Sequence, residues 1–155
     1  MFSRILIPLD GSPEAEPALL PAKEIAAKFG SEVVLVEVTP GYGQILAASA
    51  AESFGSAGAV DAMMQAEEAA EGLASAYLEN VRAIYGTPSW ETVLAEGDSA
   101  DSIIESARTV GADLIVMATH ARRGLKRLFI GSVAEDVIRR CGIPVLVVHS
   151  DDADD

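Results

Sequence analysis

The chain has 155 residues, the size of one domain with one core, and half of them are hydrophobic while only 5% are aromatic, so the core is expected to be aliphatic in the manner of parallel sheets under Ala-rich helices. A formal net charge of −13 opposes contact with nucleic-acid phosphate or anionic membrane, so neither is an expected partner. The one cysteine, Cys141, excludes a disulfide within the chain and a zinc site built on thiolates; it reads as a small residue at a helix end in a reducing compartment.

Arg4 to Leu9 is a β-branched and Leu-rich run ending in Asp10-Gly11-Ser12, which predicts a buried strand and a tight turn. Pro8 and Asp10 interrupt it, so it does not read as a signal peptide. No stretch reaches the roughly 20 apolar residues of a membrane span, and the expected location is the cytoplasm. Ser12 is placed as the N-cap of a helix with Pro13 at its first position and Glu14 and Glu16 in its first turn. Ala15, Ala18, Leu19, Ala22, Ile25, Ala26 and Phe29 then repeat on one helical face, and Gly30 is the stop.

Val33 to Val38 is the second predicted strand, and Gln44 to Ala59, rich in Ala, Ser and Gly, reads as a loop. An Ala/Glu-rich helix is expected from about Val60 to Tyr85, stopped by Gly86 and Pro88. Trp90 to Ala95 is the third strand, Glu96-Gly97-Asp98 a turn, and Ser99 to Val110 a helix with Ala100, Ile103, Ile104 and Ala107 inward and Gly111 as its stop. Asp113 to Ala118 is the fourth strand, followed by a basic loop from Thr119 to Arg127. A helix from about Gly131 to Arg140, a last strand from Ile143 to His149 and an acidic tail from Ser150 to Asp155 complete the chain. Strict alternation of strand and helix predicts an α/β fold with a five-stranded parallel sheet, right-handed crossovers and helices on its flanks, in one domain spanning 1–149.

In such a sheet ligands bind beyond the carboxyl ends of the strands, where strand order reverses. The first strand ends at Asp10 and the fourth at Ala118, so a central first strand next to the fourth would bring Asp10 and the Thr119 loop over one crevice. Of the 11 Lys and Arg residues, Arg122, Arg123, Lys126 and Arg127 crowd that loop, which feeds the helix opened by Gly131-Ser132. Cationic side chains and a helix N-terminus together make an anion site. Glycine permits close approach of a phosphate, and the Ser132 hydroxyl can donate to it. The other reading is a solvated loop offsetting an acidic surface, with Ser132 as a plain N-cap. Arg139 and Arg140 read as partners of the helix C-terminus. Asp10 either shapes its turn or holds a ribose hydroxyl or a nucleotide-bound Mg²⁺. His120 either contacts phosphate or is a plain loop histidine.

These residues carry a family resemblance. Ile5-Leu6-Ile7-Pro8-Leu9-Asp10-Gly11-Ser12 resembles the opening of universal stress proteins, and Glu96-Gly97 with Ile103 their third-strand turn and helix. The run from Asp113 through Thr119-His120-Ala121-Arg122-Arg123-Gly124 to Arg127, then Gly131-Ser132-Val133-Ala134-Glu135 and Pro144 to Val148, is the most specific part. The resemblance implies a Rossmann-like fold of the adenine-nucleotide alpha-hydrolase type, with the first strand central beside the fourth and a homodimer through the last strand, Val145 to Val148. It implies ATP or AMP, with or without Mg²⁺, held by Pro8, Leu9, Asp10, Val38, Ala118, His120, Ala121, Arg122, Arg123, Gly131, Ser132 and Val133, with Val38 against adenine and Asp10 on the ribose or metal side. The family's glycine motif is Gly, two residues, Gly, nine residues, Gly, then Ser or Thr. Gly131 and Ser132 fit its end, whereas Ala118 and Ala121 stand at the first two glycines.

Three functions follow: a dimeric nucleotide-binding stress regulator, a dimeric scaffold that has lost the nucleotide, or a slow ATPase. The chain has no Gly-x-x-x-x-Gly-Lys-Ser/Thr loop and no evident water-positioning acid beside His120, so fast turnover is not expected.

Overall fold

The computed structural model describes residues 1–41, 57–119 and 131–149. Its elements are β1 (Arg4–Leu9), α1 (Leu19–Phe29), β2 (Glu32–Thr39), α2 (Ala57–Tyr85), β3 (Glu91–Glu96), α3 (Ser99–Val110), β4 (Leu114–Thr119), α4 (Ser132–Arg140) and β5 (Val145–His149), with a short 3-10 turn at Glu16–Ala18 before α1. The five strands form one parallel sheet in the order β3-β2-β1-β4-β5. The first strand is central and beside the fourth, as expected, and the order reverses between β1 and β4.

Two aliphatic layers hold the helices on this sheet. Ile5, Ile7 and Leu9 of β1 and Val33 and Leu35 of β2 turn to one face, where they meet Leu19 and Ala22 of α1 and Leu78 and Val81 of α2. Leu6, Val34, Val36 and Ile115 turn to the other, against Ile103, Ile104 and Ala107 of α3 and Ala134 and Val137 of α4. Burying each of the Val, Leu and Ile side chains contributes about 1.5–3 kcal/mol. Successive residues alternate between the layers, as the period of a strand requires.

The entry to α1 departs from expectation. Ser12 does not cap it: α1 begins at Leu19 with no side-chain cap, after single-turn bonds from Ala15 to Ser12, Glu16 to Pro13 and Ala18 to Ala15. The cause is the prolines at 13, 17 and 21. An α-helix from Pro13 would need the N–H of residue 17 on the carbonyl of 13 and that of 21 on 17, and neither exists. α1 does end as expected, with Gly30 left-handed at φ 70°.

Smaller differences follow similar logic. Trp90 precedes β3; its ring lies on Gly86, where a Cβ would come within 2.8 Å of it, so only glycine fits that stop. α2 begins at Ala57, inside the stretch expected as a loop. The rest of that loop, through residue 56, the basic loop at 120–130 and the tail at 150–155 lie outside the described residues. Cys141 is buried at the end of α4, and its thiol donates to the Ile143 carbonyl. Arg139 pairs with Glu135 within α4, and Arg140 reaches Asp101 on α3, so their partners are carboxylates.

The two ends of the sheet are built differently. At the amino end the Asp113 carboxylate accepts from the N–H groups of Ser3 (2.7 Å) and Arg4 (3.0 Å). The Arg4 guanidinium spans Glu32, Glu91 and the Val110 carbonyl, tying β1, β2, β3 and α3 together. At the carboxyl end the β1–β4 ladder pairs only Ile5 with Leu114 and Leu6 with Ile115, whereas β1 and β2 stay paired over six positions. The Arg4 carbonyl accepts from β4's side of the sheet, and the polar groups of Leu6 and Pro8 share that direction by strand parity. Proline has no N–H to offer, so the seam toward β4 parts there.

Candidate functional site

The parted seam opens a crevice of about 260 Å³ over the carboxyl ends of β1 and β4. That is close to the lower end of the range for small-molecule sites, about 300–1,000 Å³. Pro8, Leu9 and Asp10 come from the end of β1, Met117, Ala118 and Thr119 from β4, and Gly131 to Ala134 from the start of α4. Val38 of β2 and Ser99 and Ile103 of α3 form the opposite wall. The position is the one that the strand-order reversal dictates.

Eight of the twelve expected residues meet here: Pro8, Leu9, Asp10, Val38, Ala118, Gly131, Ser132 and Val133. His120, Ala121, Arg122 and Arg123 fall outside the described residues. Ala118 lies within β4, and no described non-glycine residue has a positive φ, so the methyl that replaces the family's first glycine is accommodated without backbone strain. Ser99, Ile103, Met117, Thr119 and Ala134 line the crevice without having been expected there, as does Ala15. Met117 and Thr119 flank an expected residue in β4. Ser99 and Ile103 arrive through the way α3 crosses the sheet, for which the sequence carries no local sign.

Gly131, not Ser132, is the N-cap of α4, at φ −56° and ψ 153°, and as a glycine it brings no side chain to cap the helix. The start of α4 lines the crevice, and the partial positive charge of its leading N–H groups suits an anion. A Cβ on Gly131 would meet no described atom within 4 Å.

Asp10 is exposed, and its Oδ1 accepts both the Ser12 N–H (3.0 Å) and the Ser12 hydroxyl (2.5 Å). Gly11 between them has φ 77°, a left-handed turn that favours glycine. Beside the turn stands Glu37, paired with Leu9 across the β1–β2 ladder, with one oxygen 3.4 Å from the place a Gly11 Cβ would take. Burial, then the charge of Asp10, push the Glu37 carboxyl above its ordinary value, and its Oε2 is buried without a partner among the described residues. Glu37 faces a second crevice between β2 and α2, lined also by Asp10, Thr39, Ala74 and Tyr77. There the hydroxyls of Tyr77 and Tyr85 donate to Glu16, and burial and then Glu16 raise the Tyr77 phenol well above its ordinary value.

The described residues contain no cluster of three or more His, Cys, Asp or Glu side chains able to hold a metal ion. Asp10 is a single carboxylate, which fits a metal only where a ligand's own oxygens supply the remaining positions. Among the described residues no helix is long and apolar enough to cross a membrane.

Residues 1–149 match the sequence profile of the universal stress protein family. Universal stress protein MJ0531 of Methanocaldococcus jannaschii is 36% identical over 151 residues, which cover 96% of this chain and 82% of that one. Among solved structures, that of protein MJ0577 from the same organism superposes with a TM-score of 0.76 at 26% identity over 99% of both chains. A universal stress protein solved in complex with cAMP superposes at 0.62 with 22% identity, over 97% of this chain and 98% of that one, and shares the fold.

Proposed function

The chain belongs to the universal stress protein family of stress-response proteins, and on that premise we propose that it binds an adenine nucleotide, ATP or AMP, in the crevice between β1 and β4. The observation that carries this reading is the glycine-started N-terminus of α4 lining the same crevice as Asp10 and Val38, at the reversal of strand order. Phosphates rest on the N–H groups of Gly131, Ser132 and Val133, with the Ser132 hydroxyl as a further donor. The ribose lies at Asp10, whose carboxylate accepts from a sugar hydroxyl. Adenine packs at Val38, over the apolar wall that Ile103 completes. Arg122, Arg123 and His120 add charge from the loop that precedes α4. Mg²⁺, when present, arrives on the phosphates with Asp10 as the nearest carboxylate. The cAMP carried by a protein of this fold belongs to the same ligand class.

The site is a holder of nucleotide, with slow hydrolysis at most. Asp10 is the only titratable side chain among the described residues that line the crevice, and a lone carboxylate that also holds the sugar is poorly placed to activate water. Nucleotide then acts through shape and partner choice in a cytoplasmic homodimer. β5 supports the dimer: it is an edge strand whose Leu146 is 37% exposed, and an apolar edge invites pairing with its own copy about a two-fold axis. A monomer at micromolar concentration, by sizing with light scattering, would contradict the dimer. Titration calorimetry with ATP and AMP tests the nucleotide. Binding of either supports the reading, and binding of neither leaves a dimeric scaffold as the function.

A further inference from the structure

We propose that Ser12 is a positioning residue for the sugar: it holds Asp10 in the orientation that recognises a ribose hydroxyl, and so sets the preference for ribonucleotides over deoxynucleotides. The proposal rests on the nucleotide reading above and adds to it a residue outside the crevice lining.

Three features of the Asp10-Gly11-Ser12 turn carry it. First, the Ser12 N–H and hydroxyl both donate to the same oxygen, Asp10 Oδ1, at 3.0 and 2.5 Å. One oxygen held twice fixes the carboxylate plane and makes Oδ2 the acceptor offered to a ligand. Second, Gly11 at φ 77° folds the chain so that Ser12 returns onto Asp10, a path that a side chain at 11 would strain. Third, Ser12 has no part in starting α1, which begins seven residues later without a side-chain cap, so its hydroxyl is spent on Asp10 alone.

The pinning matters because Asp10 stands where two crevices meet. It borders the one with Val38, Ala118 and Ser132 and also the one with Glu37, Ala74 and Tyr77. An exposed aspartate at that corner is free to turn about both its side-chain torsions. Glu37 cannot hold it, since two carboxylates repel. Ser12 is the side chain that selects one orientation.

The test is calorimetry on the full chain with ATP, 2′-deoxy-ATP and 3′-deoxy-ATP, with thermal unfolding to verify each variant. A hydrogen bond from a hydroxyl to a charged acceptor corresponds to about 10- to 100-fold in affinity, so the unaltered chain should prefer ATP over one deoxy analogue by that ratio. Ser12→Ala should bring the ratio close to one by weakening ATP alone, and Ser12→Thr, which keeps the hydroxyl, should restore it. Retention of the ratio in Ser12→Ala overturns the proposal. So does an equal loss for all three nucleotides, which would mark Ser12 as a purely structural part of the turn. If the unaltered chain binds ATP without discriminating, Asp10 is not on the sugar; the proposal fails while the nucleotide reading stands. If it binds none of the three, both fail.

Discussion

The amino and carboxyl ends of the central strands are made from the same kind of sequence and serve opposite purposes. At the amino end polar groups are spent on one another: Asp113 takes the backbone N–H groups of Ser3 and Arg4, and the Arg4 guanidinium ties three strands and a helix. At the carboxyl end the ladder parts after Leu6, a glycine turns left-handed, a glutamate oxygen is buried without a partner among the described residues, and α4 starts on a glycine. Groups that would stabilise the fold if paired with one another are instead left facing a crevice. With the proposed nucleotide in that crevice, stability and binding are separated along the strand axis, and substitutions at the two ends should move different observables.

The largest effect on stability is expected at the amino end. Asp113→Ala removes two hydrogen bonds at the strand entry, and urea unfolding should show a loss of about 1 kcal/mol, with nucleotide affinity of the folded protein unchanged. Burial works against the Asp113 charge, but the N–H groups of Ser3, Arg4 and its own backbone outweigh it and hold the carboxyl below its ordinary value. Its contribution is therefore complete above the unfolded value, near 3.9, and is lost as pH falls through the lower folded value.

A substitution at the other end should leave stability alone and abolish binding. Gly131→Val places its Cβ where no described atom stands within 4 Å, at a φ and ψ open to valine, so the unfolding midpoint should hold. The methyls would occupy the place of the phosphate, and ATP affinity by calorimetry should fall by more than tenfold. Ser132→Ala, which removes one donor and leaves the backbone groups, should weaken binding less, by about tenfold. A large loss of stability in Gly131→Val would show that the two ends are not separable in this way.

The smallest effect reverses the sign of the acid response. Glu37 has a raised carboxyl, so its charged form costs stability at neutral pH, and the cost disappears as pH falls through the folded value. Glu37→Gln should make the protein slightly more stable at pH 7 and no different in acid. Its gain should be smaller than the Asp113 loss, because Glu37→Gln only relieves one unfavourable charge whereas Asp113→Ala removes two hydrogen bonds. Equal stability of the two chains at pH 7 would show that the repulsion from Asp10 is fully screened.

Much of this was legible in the sequence because the governing signals are local. Apolar runs closed by Gly30 and Gly111 mark where helices end, and both glycines are left-handed in the structure. Asp10, Ala118 and Gly131 converge because the ends of parallel strands next to a reversal must do so. What escaped depended on contacts between distant segments or on cumulative backbone chemistry. Three prolines, each tolerable singly, together delay α1 to Leu19 and release Ser12 from capping. Trp90 reads as a strand residue by propensity, yet its ring is claimed by Gly86. Val38 came from the family pattern, while Ser99 and Ile103 reach the same wall only through the path of α3.

Trp90 also decides how the molecule can be watched. It is the chain's single tryptophan, 6% exposed, and sits ahead of the first residue of β3, whereas the crevice lies past the strands' far ends. Its fluorescence will report whether the end of α2 is seated on the sheet, and a nucleotide entering the crevice will scarcely perturb it. One indole thus supplies an optical record of unfolding in which ligand appears only through the shift it causes in the transition, so a bound nucleotide can be weighed by the denaturant needed to displace it.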